Sequence, residues 1–499
     1  MNRFYKIDRL QWYWLFPAAV LVYALFGSPN TPGFVWWALF ASIACGLPLL
    51  ATGHDPISFV SLLALLHALY YPLAVVISLM PSSPMFFESD LWDATPLAMQ
   101  ALVVGMAGFA LGAILASRPG WPRRILRAVE ATEYEILLVK RSSILVMVLL
   151  IIPLAIFMLA TNTYYHFQAA GDLGWSEANA LAFGYTGYIE YVVYAGVFLQ
   201  MRRYLITRSK KDLFLAIVCA LLPFVVMLPS GSRDLALRGT VPTVFVAFTG
   251  FTKRFSPKTI VLLACIGILV LIIMVGITAY RERIYYELEN VSLKERVDLL
   301  QSGVSKVSVL SKEGFEQLLS RWGYRFADYV VVGKIVSVFP SLYEYRLFED
   351  VEYWPIYLLP NPIRPKTPDF EPRDSAALSA NVGVFSGKGS SPAMILGDLF
   401  SRFSWMGMFF GMMALGFALR GLDKWLSRFG LFETLVYSLL LVTVVKLPHT
   451  SLFGWFLFFS RSMFIILVIA FILKLFIWNR KIRVRASKRK PIVHAEMNF

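Results

Sequence analysis

The sequence is poor in charge: 16% of its 499 residues are Asp, Glu, Lys or Arg, against about 25% in an ordinary soluble domain. Cysteine is scarcer still. Cys45, Cys219 and Cys265 each lie inside an apolar run, which excludes a disulfide scaffold and reads as three small buried hydrophobes. Histidine occurs five times, with no Cys/His spacing that fits a metal site. There is no clustered Asp-x-Asp segment. Disorder and coiled coil are excluded by what takes the place of the missing charge: hydrophobic residues make up 58% of the chain and the mean hydropathy is +0.63. In water such a composition leaves large exposed apolar patches; in a bilayer, where each helix needs about 20 apolar residues, it is ordinary. The chain reads as an all-α polytopic membrane protein.

Twelve spans are expected, at 10–27, 34–52, 57–80, 96–116, 143–162, 185–201, 213–229, 235–251, 259–280, 393–419, 434–448 and 452–478. The first is expected to stay in the chain, because it holds Trp12, Trp14 and Tyr23 and no small-residue cleavage site follows. No internal repeat is evident. Four units follow: spans one to nine over 1–280, a loop over 281–391, spans ten to twelve over 392–478, and a basic tail over 479–499.

The formal net charge is +15, and its placement sets the orientation. Arg118, Arg123, Arg124, Arg127, Lys140 and Arg141 fall between spans four and five. Arg202, Arg203, Arg208, Lys210 and Lys211 fall between six and seven. Further groups are Lys253, Arg254 and Lys258, then Arg420, Lys424 and Arg428, then the tail from Arg480 to Lys490. The alternate connections are acidic or neutral, as at Glu88, Asp90 and Asp93 or at Asp172 and Glu177. Cationic loops stay in the cytoplasm, so both termini are expected there. The same placement, against anionic headgroups, explains the net charge without nucleic acid as a partner.

The connection 281–391 is then extracytoplasmic, and loops this long are usually functional. Within it, Leu318, Leu319, Trp322, Phe326, Tyr329, Val330 and Val336 have the spacing of an amphipathic helix lying on the membrane or packed on the bundle. Arg321, Arg325 and Asp328 occupy its other face. A run of six prolines, Pro355 to Pro372, forbids regular helix and makes a stiff strap. The whole segment reads as a partly helical cap over the bundle.

Ionisable residues in or beside spans are functional candidates. They are Glu190, Arg233, Arg238, Asp398, Arg402, Lys446, His449 and Arg461. Each has a plainer reading. Glu190 and Arg461 can be structural counter-ions, Asp398 and Arg402 stand four apart and can pair only with each other, and His67 suits an interhelical hydrogen bond. In LPSGSRDLALRG, residues 228–239, a Gly231-Ser232-Arg233 turn places Arg233 at a helix start, where free N–H groups and the helix dipole suit an anion. The plainer reading there is an interfacial turn. Arg233, Arg281, Arg283, Arg321, Arg325, Arg364, Lys366, Arg373 and Arg402 together put many cations on the face where the charge bias disfavours them. Guanidinium forks match diphosphate oxygens.

The many spans, the Gly-Ser-Arg turn at 231–233, the large outer loop in the second half, and the return FSGKGSSPAMILGDLFSRFSWMGMFFG (385–411) resemble the O-antigen polymerase (Wzy-type) family. The resemblance covers most of the chain in topology and is specific near 228–239 and 355–411. It implies a C-type glycosyltransferase that joins oligosaccharide repeat units carried on undecaprenyl diphosphate, without nucleotide sugar, ATP, metal or other cofactor. It also implies membrane lipids and a chain-length regulator as partners. The related O-antigen ligases use a His in the large outer loop; 281–391 has none, which favours a polymerase, with His449 as a substitute from a neighbouring turn. The repeated Arg-x10-Gly pattern of some members is absent at Arg233, Arg281, Arg283 and Arg373. On this reading Arg233, with one or two of Arg281, Arg283, Arg325 and Arg373, neutralises the diphosphate. The base is one of His449, Asp328, Asp398, Glu190 and Asp234. Trp322, Tyr324 and Trp354 stack on sugars or anchor at the interface. The alternatives are ligase-like glycan transfer and a flippase for the same lipid-linked glycan.

Overall fold

The computed structural model describes residues 34–52, 58–75, 89–117, 139, 194–227, 298, 329–348, 351–356, 394–426, 431–452, 454–456, 459–460, 462–464, 466–468 and 471. These residues are helical, with no strand among them. Three stretches are long and apolar enough to cross a membrane: Val35–Thr52, Asp93–Leu115 and Met394–Leu426. Among the described residues the protein is thus helical, with helices long and apolar enough to cross a membrane. The expected twelve spans and capping loop fall largely outside the described residues.

We number the helices α1 (Phe34–Gly46), α2 (Leu49–Thr52), α3 (Phe59–Ala68), α4 (Ser89–Leu115), α5 (Lys210–Met227), α6 (Tyr329–Val338), α7 (Met394–Leu426) and α8 (Leu431–Lys446). α3 runs on into a single π-helical turn, Leu69–Leu73, around Pro72. α8 runs on into a 3-10 turn, Leu447–His449.

The tightest packing joins α4 to the second part of α7. A Cβ on Gly108 or Gly112 would strike the backbone of Phe409 or Met413, and one on Gly416 would strike the backbone of Phe109. Gly108 and Gly112 form a small-xxx-small pair, which lets transmembrane helices touch backbone to backbone. The order of these contacts makes the two helices parallel.

α7 differs from the single span expected over 393–419. Ser404 has φ 62° and ψ −164°, a conformation that L-residues avoid, and it divides the helix into limbs 394–403 and 405–426. Leu399 packs on Gly411, and both Leu396 and Met412 approach Gly105, so the first limb folds back antiparallel along the second. It is a short folded-back helix, here called the re-entrant limb. The second limb, about 33 Å long at 1.5 Å per residue, is long enough to cross a bilayer and is called the crossing limb.

α6 settles where part of the expected amphipathic stretch lies. Tyr329, Val330, Val331, Val332, Ile335 and Val336 are all buried. Gly333 meets the backbone of Ala94, and Val332 and Ile335 meet Gly397. This part packs on the bundle, wedged between α4 and the re-entrant limb.

At one end of the bundle a buried carboxylate ties three helices, and its neighbours Arg420 and Lys424 bring in a fourth. Asp423 Oδ1 accepts from the Phe59 backbone N–H (2.9 Å) and the Tyr437 hydroxyl (2.7 Å). The rings of Phe59 and Tyr437 stack with centroids 4.1 Å apart. A carboxylate at the first turn of α3 is stabilised by the helix dipole. Arg420 stands 4.0 Å from Asp423 Oδ2 and donates to Ser117 Oγ just after α4 (3.1 Å), and the Lys424 amine donates to the Ala116 carbonyl. With both α3 and α8 starting here and both reaching His449 at the far end, α3 and α8 run parallel, opposite to α4 and the crossing limb of α7.

Candidate functional site

The other end of the bundle holds the cluster that the sequence partly foretells. Asp398 and Arg402 lie one turn apart on the re-entrant limb, 2% and 1% exposed. The Arg402 Nε–H donates to Asp398 Oδ1 at 3.2 Å. The plainer expectation, that these two pair only with each other, does not hold. Arg346 reaches the same carboxylate oxygen at 3.7 Å. The second oxygen, Oδ2, accepts from the Leu452 backbone N–H at 2.8 Å. One carboxylate therefore holds two guanidinium groups, with both of its oxygens engaged.

The local backbone explains the register. The last carbonyls of a helix lack intrahelical donors. Here the Arg346 N–H donates to Ser401 O (3.0 Å) and the Leu347 N–H to Arg402 O (3.2 Å), so the irregular segment after α6 caps the limb just before the Ser404 reversal. Arg402 Nη1 donates back to Leu347 O (3.2 Å). The Arg402 guanidinium also lies 5.8 Å from the Trp354 ring centroid, in range of a cation–π attraction. Trp354 in turn packs on Phe456 at 5.3 Å. Arg402 is thus enclosed, whereas the Arg346 side chain remains 15% exposed.

His449 belongs to the same corner. Its turn is tethered to Asp398 through Leu452, three residues on. The His449 ring stands edge-on to Tyr70, centroids 3.7 Å apart, against the π-helical turn of α3. His67, on the preceding turn, is fully buried. Its Nδ1 lies 2.9 Å from Leu63 O, so that nitrogen carries the proton and donates. This is a bond within α3, where the sequence suggests one between helices.

Of the predicted site residues, Asp398, Arg402 and His449 are brought to one corner. Glu190, Arg233, Asp328, Arg281, Arg283, Arg321, Arg325 and Arg373 lie outside the described residues, as do Asp234 and Arg461. Arg346 was not foreseen. It stands between Glu344 and the Glu349-Asp350 pair, and so reads locally as one charge of a solvated run. Its distinguishing signal is position, directly ahead of Trp354 and the proline strap. Among the described residues no group of three or more His, Cys, Asp or Glu is placed to hold a metal ion. Comparisons of the chain with family models, curated proteins and solved structures find no match.

Proposed function

We propose that the chain is a membrane glycosyltransferase that polymerises undecaprenyl-diphosphate-linked oligosaccharide repeat units into a surface polysaccharide, acting at the outer face of a bacterial inner membrane. The observation that carries this reading is the Arg346–Asp398–Arg402 cluster. Two guanidiniums share one carboxylate, which leaves one surplus positive charge, and the partly exposed Arg346 carries it toward the surface. A buried charge pair is a costly scaffold. One that leaves an arginine over, beside a tryptophan and a histidine, suits an anionic, glycosylated ligand. The parallel run of α3 with α8, and of α4 with the crossing limb of α7, is what alternation over twelve spans needs of the third and eleventh spans and of the fourth and tenth. It agrees with that alternation, and the charge placement then turns this corner outward.

In the reaction, an acceptor hydroxyl oxygen forms the new bond to the sugar C1, and the C1–O bond to the diphosphate breaks. The electron pair leaves with the diphosphate, and the hydroxyl proton passes to a base. Arg346 stabilises the developing charge on the leaving group, and the outer arginines foreseen from the sequence, Arg233 foremost, join it. Asp398, with both oxygens occupied, serves to hold the arginines. His449, on the turn tethered to Asp398 through Leu452, serves as the base. Trp354 lines the sugar path.

The test is complementation of a host that lacks its own polymerase. Arg346→Ala and Arg233→Ala leave the protein in the membrane near its normal amount and abolish long glycan chains. Full-length chains with Arg346→Ala at normal abundance overturn the reading of this cluster.

A further inference from the structure

Among the described side chains His67 stands out. It is completely buried, its Nδ1–H is committed to Leu63 O, and its Nε2 has no hydrogen-bond partner. The committed proton fixes the tautomer, so Nε2 presents a lone pair. A buried acceptor left unmade carries a desolvation penalty, and nothing within α3 repays it. The geometry around it is unusual in a second way. Directly after His67, α3 changes to a π-helical turn, Leu69–Leu73, a feature that is rare and frequent at functional sites. That turn sets Tyr70 against His449 and stacks the Tyr71 ring on His67, centroids 5.8 Å apart. The vacant lone pair therefore lies one turn before the residue that packs on the proposed base, with the Tyr71 ring beside it.

We propose that His67 is a positioning residue for the acceptor, its Nε2 accepting a hydrogen bond from a sugar hydroxyl of the incoming repeat unit. This rests on the polymerase reading and deepens it: the diphosphate is gripped at Arg346, and the sugar is oriented from α3. His67 stays neutral and takes no proton. The new bond forms and the proton moves at His449 as before. A hydroxyl is the fitting donor because it supplies one proton to one lone pair without bringing a charge into the interior.

The experiment measures binding of two ligands to the purified full-length protein in nanodiscs: undecaprenyl diphosphate bearing one oligosaccharide repeat unit, and undecaprenyl diphosphate without sugar. His67→Phe weakens binding of the glycosylated lipid about fivefold to tenfold, the worth of one neutral hydrogen bond, and leaves the sugar-free lipid unaffected. His67→Gln, which keeps a side-chain acceptor, restores most of the loss. Arg346→Gln weakens both lipids equally. With ¹⁵N-labelled histidine, the His67 Nε2 resonance shifts on adding the glycosylated lipid and not on adding the sugar-free one. Equal loss of both ligands in His67→Phe, or unchanged binding of both, overturns the proposal. Failure of the unmodified protein to bind either lipid overturns the polymerase reading instead.

Discussion

Asp398 and Arg402 face each other across one helical turn, Oδ1 to Nε 3.2 Å, on a ten-residue limb that ends two residues later where the chain reverses at Ser404. The pair is enclosed, so its two members are not independent. Removing the carboxylate strands a buried cation, at a cost of about 3–5 kcal/mol. Asp398→Ala is expected to lower the amount of folded protein sharply, and Asp398→Ala with Arg402→Met is expected to recover much of it. Thermal unfolding of the purified variants in detergent gives the comparison. A double variant no better than the single one removes the coupling.

Ser404 invites a change in the opposite direction. A non-glycine residue at φ 62° and ψ −164° carries strain of about 1–3 kcal/mol, more than the roughly 0.5–1 kcal/mol of backbone entropy that a glycine adds. Ser404→Gly is expected to raise stability by about 1 kcal/mol, and Ser404→Val to lower it by more than that, because a β-branched side chain tolerates this conformation least. A Ser404→Gly protein that unfolds at lower temperature than its parent contradicts the reversal.

The α4–α7 contact makes a steric prediction. Gly112 and Gly416 face backbone atoms of the opposite helix with no space for a Cβ. Gly112→Ala is expected to cost about 1–3 kcal/mol by overpacking, whereas Gly421→Ala, with open space around it, is expected to be neutral. Membrane abundance and melting temperature of the two variants separate them.

At the far end, Tyr437→Phe deletes the hydroxyl that donates to Asp423 and leaves that carboxylate with its other partners. A loss of about 1.5–3 kcal/mol follows from one bond to a charged acceptor. Tyr437 lies remote from the Arg346 corner, so the length of glycan made per molecule of protein is expected to stay unchanged. Shortened chains at equal protein amount would place Tyr437 in the reaction path.

The sequence reads well where apolar length alone decides. The expected span 34–52 matches α1 and α2, 213–229 overlaps α5, and 434–448 overlaps α8. α4 begins at Ser89, earlier than the expected 96, because Asp90, Asp93 and Pro96 look like a membrane boundary yet lie inside the helix. The broken α7 is not visible in the same way. FSRFSWMG has no proline at the break and no glycine at Ser404, and the reversal depends on donors supplied by Arg346 and Leu347 from far away in the chain. Asp398, Arg402 and His449 were legible because ionisable residues in apolar surroundings stand out. Arg346 was not, because it hides among acids; His67 stands out in the sequence as an interhelical hydrogen-bonding residue, but its unpartnered Nε2 is something no sequence pattern records.

The most direct measurement gives purified protein in liposomes a single substrate, undecaprenyl diphosphate bearing one repeat unit, and resolves the products by size. A ladder of lipid-linked oligomers, with one undecaprenyl diphosphate released per unit added and none formed by Arg346→Ala, is the predicted result. Recovery of the substrate unextended, or product only when a lipid core is supplied, contradicts polymerisation.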